Sequence, residues 1–177
     1  DSQCANAIPL VLGICAPANR GAVVDAIVRD VRSRGNALTA GDVGYRYLLR
    51  ALAEGGRNDV IFDMNNQTNQ PGYGMQLAKG KTSLTEAWDG GSSQNHFMLG
   101  QIQEWFYHDL AGIQGEPGSP GFKSIVIHPH PVGDVTWVKA SYHSIRGKIV
   151  SDWKREGNNF TLHVTIPVNT SATVYLP

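Results

Sequence analysis

Five side chains that could take part in chemistry lie within eleven positions near the middle of the chain. They are Glu86, Trp88, Asp89, Asn95 and His96. The residues between them are rich in Gly and Ser, and a strongly apolar stretch follows. Carboxylates and an aromatic ring on a loop that a rigid helix holds are a common design of sugar-cleaving sites. A sugar-cleaving site is therefore one hypothesis for this loop, to be weighed against simpler interpretations.

Each of these residues also has a simpler interpretation. Glu86 could be a solvated surface carboxylate, and Asp89 an ordinary turn or cap residue. Trp88 could stack on the apolar face of a sugar or fill the core beneath the loop. His96 could be a structural histidine with its hydrogen bonds satisfied. The residues alone leave these alternatives open.

Composition excludes several classes of partner. The chain has 177 residues, 41% of them hydrophobic, which is ordinary for a globular protein. Lys+Arg and Asp+Glu are both 15 and no basic tract occurs, so neither nucleic acid nor an anionic membrane is an expected partner. The longest apolar run, Ile8–Cys15, is shorter than the ~20 residues of a membrane helix and lacks a charged segment before it, so it predicts neither a span nor a secretory signal. The compartment is left open.

The two cysteines do not predict a disulfide. On one helix, Cys4 and Cys15 would lie ~16 Å apart along the axis, whereas a disulfide needs Cα atoms within ~7 Å. We expect two buried free thiols and no metal or other cofactor. His128 and His130 flank Pro129, and this spacing favours a structural turn over a metal site.

Helical periodicity dominates the first part of the chain. It predicts helices over Ser2–Ile14, Gly21–Arg34, Val43–Glu54 and a short fourth from Asn58 or Asp59 to Met64. The segment Gly72–Leu77 is predicted to be extended. The longest helix is expected over Asn95–Leu110, directly after the loop that carries Glu86. We also expect Asn19 and Asp42 to cap helices.

The period changes to two after Gln114. Strands are predicted over Ser124–Ile127, Asp134–His143, Lys148–Lys154, Phe160–Pro167 and Ala172–Leu176, with a hairpin turn at 156–159. The architecture is therefore a set of helical hairpins over residues 1–113 followed by a small antiparallel β-sandwich over 114–177. Trp137 and Trp153 could form a carbohydrate-binding face on this sandwich, although burial with period two explains them more simply.

Four segments carry a family resemblance. They are LTAGDVGYRYLLRAL, PGYGMQLAKGKTSLTEAWD, SSQNHFMLGQIQEWFYHDLAGI and PGFKSIVIHPHPVGDVTWVKASYHSIRGKIVSDWKREG. In type and order they resemble the C-terminal part of bacterial α-L-rhamnosidases of glycoside hydrolase family 78. The resemblance implies the end of an (α/α)6 barrel followed by a β-sandwich domain, and hydrolysis of terminal α-L-rhamnose with inversion. The expected ligand is a rhamnose-containing glycoside or polysaccharide.

The resemblance also implies roles for the clustered residues. The family's general base is the Glu of an E-x-W-D pattern, which here is Glu86 with Trp88 and Asp89. A histidine in an N-H-aromatic motif contacts the sugar, which here is His96 after Asn95. The loop between Glu86 and His96 is shorter than in better-known members, which alters the leaving-group side of the site. Asp42 and Tyr73 are weaker candidates on possible barrel rims.

The general acid has no counterpart in this chain. A six-hairpin barrel needs twelve helices and about five are predicted, so we expect a fragment of a longer enzyme that is inactive alone. Its uncovered inner helix faces favour self-association. The alternative function is a non-catalytic carbohydrate-binding or inter-domain packing module. A different (α/α)6 enzyme, such as a lyase, fits the E-x-W-D loop less well.

Overall fold

The computed structural model describes residues 2–177, which form two compact units. The first unit runs to Ile102 and is helical, and the second is Gln103–Pro177 and contains all the strands. The predicted order of helical hairpins followed by a small sheet domain is confirmed. No helix of the described residues is long and apolar enough to cross a bilayer.

Five α-helices build the first unit. They are α1 Gln3–Val11, α2 Arg20–Ser33, α3 Asp42–Glu54, α4 Asn58–Asn66 and α5 Tyr73–Ala78. Helix α1 begins at Ser2, whose hydroxyl accepts a hydrogen bond from the Ala5 N–H. The core of the unit is formed by the apolar stripes of α1 to α4, and it includes Ile27, Leu48, Leu52 and Ile61. The first four predicted helices are therefore confirmed, with small shifts at their ends.

Several predictions in this unit are wrong. Tyr73–Ala78 is helical instead of extended, because the backbone turns at Gly72 and the buried Gln76 anchors the helix on its inner side. Asn19 makes no side-chain cap to α2. Both cysteines are free, as predicted, but each is partly exposed.

Gly44 explains how closely α1 and α3 pack. A Cβ atom at this position would lie 2.1 Å from the Sγ atom of Cys4 on α1, far inside contact distance. The two helices therefore approach one another at a point where α3 has no side chain. Any larger residue at Gly44 would force them apart, because close-packed interiors cannot absorb the added volume.

The stretch predicted as one helix over Asn95–Leu110 has three different geometries. It begins at Phe97 as a 3₁₀ turn to Gln101, continues as the α-helical turn α6 Ile102–Trp105, and ends as a π-helical turn Phe106–Leu110. Leu99 and Ile102 are buried as the apolar stripe predicted, but Phe106 is exposed. Changes of this kind re-aim side chains that a uniform helix would place elsewhere.

The second unit contains six strands where five were predicted. They are β1 Ile113–Gly115, β2 Ser124–Ile127, β3 Trp137–Ser144, β4 Gly147–Glu156, β5 Asn159–Thr165 and β6 Ser171–Val174. One sheet has the order β1-β2-β6 and the other β3-β4-β5. All pairings are antiparallel except β2 with β6, which are parallel. Buried Ile113, Ile125, Ile127 and Ile149 form the core of this unit.

Candidate active site

The loop that carries Glu86 is fixed along both of its arms by main-chain hydrogen bonds. The Glu86 N–H donates to the Ser93 carbonyl (3.0 Å), and the His96 N–H donates to the Leu84 carbonyl (3.0 Å). The Ser83 hydroxyl also donates to the Gln94 carbonyl. The chain segments before Glu86 and after Ser93 therefore run side by side. Main-chain and side-chain hydrogen bonds together hold the two segments at this spacing.

The carboxylate of Glu86 is held by the same loop. Glu86 is exposed, and its Oε2 atom accepts a hydrogen bond from the Ser93 N–H at 3.2 Å. No other hydrogen bond to this carboxylate is found within the described part of the chain. Glu86 thus has a defined position while much of its surface stays open to solvent.

The tip of the loop is tied back to its base. Lys81 Nζ donates to the Gly90 carbonyl and to Gln94 Oε1, both at 3.1 Å. Gln94 Nε2 donates in turn to the Gly90 carbonyl at 2.9 Å. Asp89 lies at this tip and is exposed, and its Oδ1 atom accepts from the Gly91 N–H at 2.8 Å. Asp89 therefore makes the contact of a turn residue here.

Helix α5 supports the loop from beneath. Thr85 is fully buried, and its hydroxyl accepts from Gln76 Nε2 (2.7 Å) and donates to the Ala87 carbonyl (2.7 Å). Gln76 is itself buried and reaches the Ala87 carbonyl at 3.3 Å. The residues on either side of Glu86 are therefore bonded to buried groups, and Glu86 lies between them on the solvent side.

Trp88 lies in the core under the loop. Only 7% of it is exposed, and its indole N–H donates to the Ala40 carbonyl at 2.7 Å. Its ring makes edge-on contacts with Tyr45 (5.0 Å between centroids) and Tyr73 (5.2 Å). This environment matches the core-filling alternative for Trp88, because little of the ring remains to stack on a sugar. Tyr73, a candidate rim residue, likewise belongs to this aromatic cluster.

Burial changes the acidity of the two tyrosines in the cluster. The Tyr45 hydroxyl donates to Asn65 Oδ1 at 2.9 Å. Burial raises the pKa of Tyr45 well above its usual value, and the nearby Tyr73 raises it further. Burial likewise raises the pKa of Tyr73. Tyr45 therefore acts as a packing and hydrogen-bonding group, whereas the buried Tyr73 hydroxyl has no hydrogen-bond partner among the described residues.

His96 is held at its backbone and at its ring. It lies immediately before the 3₁₀ turn Phe97–Gln101, and its Nε2 atom is 3.2 Å from Asp42 Oδ2. Asp42 is the first residue of α3, where its Oδ1 atom accepts from the Val43 N–H at 2.8 Å. Gln101 Nε2 donates to the Asp42 carbonyl at 3.1 Å. The prediction that Asp42 caps α3 is therefore wrong, because Gly41 is the N-cap residue, and the Asp42 side chain instead contacts the imidazole.

The remaining candidates lie on the open side of the loop. Asn95 is exposed, and its backbone N–H donates to Ser93 Oγ at 3.3 Å. Phe97 is 80% exposed. The structure thus brings Glu86, Asn95 and His96 onto one short hairpin, with Asp89 at its tip and Trp88 beneath it. No group of three or more His, Cys, Asp or Glu side chains among residues 2–177 is arranged to hold a metal ion.

The contact between Asp42 and His96 was not predicted from the sequence. Asp42 lies in the first turn of α3, where the helix dipole favours an acidic residue without any further partner. Its partner lies 54 residues further along the chain, however, and no local pattern indicates such a distant contact.

Two family models match consecutive parts of the chain. The bacterial alpha-L-rhamnosidase 6 hairpin glycosidase domain matches residues 1–110, and the bacterial alpha-L-rhamnosidase C-terminal domain matches residues 112–177. The helical hairpins and the sheet unit described above are the two parts that these models cover. The chain belongs to the bacterial α-L-rhamnosidase family of six-hairpin glycosidases.

Individual relatives agree with this assignment. An alpha-L-rhamnosidase of Streptomyces avermitilis is 32% identical over 188 residues, which cover 100% of this chain and 18% of that protein. The structure of that enzyme complexed with L-rhamnose matches with a TM-score of 0.93 at 32% identity, covering 99% of this chain and 18% of the solved one. The alpha-L-rhamnosidase structure from Dictyoglumus thermophilum matches with a TM-score of 0.92 at 32% identity, covering 100% of this chain and 20% of its own. The chain therefore spans about a fifth of the length of these relatives.

Proposed function

We propose that this chain is the C-terminal part of a glycosidase that releases terminal α-L-rhamnose with inversion of configuration, and that Glu86 is its general base. One observation carries the proposal. In a chain of this family, the Glu86 carboxylate is exposed to solvent yet held by the Ser93 N–H on a loop whose arms are bonded together. A base needs both properties, because it must reach a water molecule and hold its own position.

The proposed chemistry moves one proton at Glu86. A water molecule attacks the anomeric carbon while the carboxylate removes its proton, and a separate carboxylic acid protonates the departing oxygen. Inverting glycosidases place these two groups ~6.5–9.5 Å apart so that the water fits between them. We infer that the acid belongs to sequence outside these 177 residues. The isolated chain is therefore proposed to be inactive. Separately, the predicted boundary between the helical domain and the sheet domain, near residue 113, stays a prediction.

The neighbours of Glu86 are proposed to hold the sugar. His96 and Asn95 are proposed to contact sugar hydroxyl groups, which is supported by the contact of the His96 ring with Asp42 and by the exposure of Asn95. Asp89 at the loop tip is proposed to contact the same ligand. Trp88 is proposed to contribute mainly by supporting the loop, since its ring is buried. The ligand class is a rhamnose-containing glycoside or polysaccharide.

A kinetic experiment tests the role of Glu86. In the longer protein that contains this chain, we expect Glu86→Gln to lower kcat on an aryl α-L-rhamnoside by about 10²- to 10⁴-fold, the usual cost of losing a general base. Glu116→Gln, an exposed glutamate of the second unit, is the matched control and should leave kcat unchanged. NMR of the first product should show β-rhamnose. Unchanged turnover in Glu86→Gln, or α-rhamnose as first product, would contradict the proposal.

A second experiment tests the proposed inactivity of the isolated chain. Purified 177-residue protein should give no turnover of the same aryl rhamnoside above background. Turnover that disappears in Glu86→Gln would show that the chain carries its own acid.

Self-association of the isolated chain is also a prediction, and exposed apolar residues such as Ile14, Leu77 and Phe97 favour it. Sedimentation showing a clean monomer at high concentration would contradict it.

A further inference from the structure

The outward face of the β3-β4-β5 sheet carries an exposed indole among polar side chains. Residues paired across antiparallel strands point to the same side of a sheet. Trp137 on β3 is paired with Lys154 on β4, which is paired with Thr161 on β5. The next row on the same face is Lys139, Asp152 and His163.

The core of the unit lies on the opposite side of this sheet. Trp153, next to Lys154 in sequence, is only 2% exposed, and its indole N–H donates to the Leu110 carbonyl at 2.9 Å. Its ring lies 5.7 Å from that of Phe160. Period-two burial therefore accounts for Trp153 as expected, but not for Trp137, which is 60% exposed. Trp137 is thus the exposed member of the four tryptophans, since Trp88, Trp105 and Trp153 are all buried.

A groove of about 400 Å³ runs along this indole. Besides Trp137, its lining includes Lys139, Asp152, Lys154 and Thr161. Asp152 Oδ1 already accepts a hydrogen bond from the Ala140 N–H at 3.0 Å, so this acid is partly committed to the sheet. Lys154 Nζ contacts Glu156 Oε1 at 2.6 Å, at the exposed edge of the face. The groove is lined mainly by apolar atoms, and Lys139, Lys154 and Thr161 are among the residues at its border.

We propose that this face is a second carbohydrate site, which binds a polysaccharide chain bearing carboxylate groups. The indole can stack on the C–H face of a pyranose ring, as rigid aromatic surfaces in ligand sites commonly do. The Lys139 ammonium group can then donate a charge-assisted hydrogen bond to a uronate carboxylate on the same or the next sugar, whereas Lys154 is already paired with Glu156. Thr161 adds a neutral donor and acceptor for a hydroxyl group.

The charges of the face favour an acidic over a neutral sugar. Lys139, Lys148 and Lys154 all point outward from the sheet, against the two acids Asp152 and Glu156. The acids already have partners, Ala140 N–H and Lys154 respectively. Lys139, directly beside the groove, is therefore the group best placed to meet an incoming carboxylate.

Tryptophan fluorescence gives a direct test of this proposal. The chain has four tryptophans, and Trp88, Trp105 and Trp153 are buried, so a ligand on this face acts mainly on the emission of Trp137. Titrating the full chain with oligogalacturonate should quench or blue-shift the emission at low salt. The effect should weaken as salt is added, because exposed charge pairs are screened.

Variants identify the residues responsible. Trp137→Ala should weaken binding, measured by calorimetry, by roughly tenfold or more because the stacking surface is lost. Lys139→Ala should weaken it by a few-fold, about what one exposed ion pair contributes. Val168→Ala and Lys79→Ala, which change an exposed apolar residue and an exposed lysine elsewhere, should bind as the unmodified chain does. Trp137→Tyr, which keeps a ring, should retain part of the affinity.

Three results would contradict the proposal of a second carbohydrate site. No binding of oligogalacturonate at millimolar concentration would overturn the proposal, as would equal binding by correctly folded Trp137→Ala. Equal affinity for a neutral oligosaccharide of the same length would show that the lysines do not select the ligand and would overturn the uronate assignment. Glu86→Gln should bind as well as the unmodified chain, so this test stands apart from the role proposed for Glu86.

Discussion

His96 Nε2 and Asp42 Oδ2 lie 3.2 Å apart, and they join the end of the Glu86 loop to the first turn of α3. Both side chains are partly exposed, 26% and 38% respectively. Such a contact contributes little to overall stability. Its effect is on orientation, because it fixes which way the imidazole faces at the open side of the loop.

A double-mutant cycle should measure this contact. Asp42→Asn and His96→Gln are expected to show a coupling free energy of about 0.2–1 kcal/mol in urea unfolding, typical of partly exposed pairs. The hydrogen bond from Gln101 uses the main-chain carbonyl of Asp42 and is kept in Asp42→Asn. Asp63→Asn combined with His96→Gln serves as control and should show no coupling. Strictly additive effects of the first pair would refute the contact.

Truncation should destabilise the protein far more at Trp88 than at Trp137. Trp88→Ala removes a buried ring that packs on Tyr45 and Tyr73, and should cost about 3–5 kcal/mol of the free energy of unfolding. Trp88→Phe should cost less, about 1–3 kcal/mol, because it chiefly leaves the Ala40 carbonyl without its donor. Trp137→Ala should change stability by about 0.5 kcal/mol or less. Similar losses for both alanine variants in denaturant unfolding would disprove the burial difference.

Alkaline pH should destabilise the first unit. Burial raises the folded-state pKa of both Tyr45 and Tyr73 above the value of about 10 expected in the unfolded chain. Above that pH the unfolded chain releases protons that the folded chain keeps, so stability falls as pH rises. The slope should approach about 1.4 kcal/mol per pH unit for each phenol.

Phenylalanine variants isolate this effect. Unfolding followed between pH 8 and 11.5 should show a shallower decline for Tyr45→Phe and for Tyr73→Phe than for the unmodified chain. Tyr175→Phe, which changes an exposed tyrosine of the second unit, should keep the original slope. A decline that is the same in all three variants would assign the effect to other groups.

Mild acid should destabilise the second unit through His130. Burial and then the neighbouring His128 lower the pKa of His130, while Asp109 partly opposes them and His108 adds to the lowering. Because the folded pKa lies below the unfolded value of about 6.5, the unfolded chain takes up the proton first as pH falls. Stability should therefore drop below about pH 6.5. His130→Gln should flatten the thermal-unfolding profile between pH 7 and 5, and an unchanged profile would contradict the assignment.

Periodicity was sufficient for the elements that make mostly local contacts. Helices α2 and α3 follow their apolar stripes, and β5 alternates as expected, with Leu162 and Val164 packed on the core and His163 exposed. The turn between β4 and β5 also lies where the Gly157-Asn158 signal places it. In each case the neighbouring residues themselves determine the structure.

Long-range contacts were beyond this kind of reasoning. The pattern Gln70-Pro71-Gly72 indicates a turn and an extended segment, but Tyr73–Ala78 is helical and Gln76 hydrogen-bonds to the distant Thr85. The residues of the E-x-W-D loop were identified from the sequence, but not the burial of Trp88 against Tyr45. Period-two alternation likewise shows which face of a strand is apolar and not which strand lies beside it, so the parallel pairing of β2 with β6 had no local signal.

That parallel pairing bears on how the protein is made. Strand β2 has β1 on one side and β6 on the other, and all of β3, β4 and β5 are synthesised before β6 exists. While the nascent chain leaves the ribosome, one side of β2 therefore has free backbone amides and carbonyls, and unpaired strand edges promote aggregation. The backbone hydrogen bonds of this sheet can therefore be completed only after β6, nearly the last part of the described chain, has been synthesised.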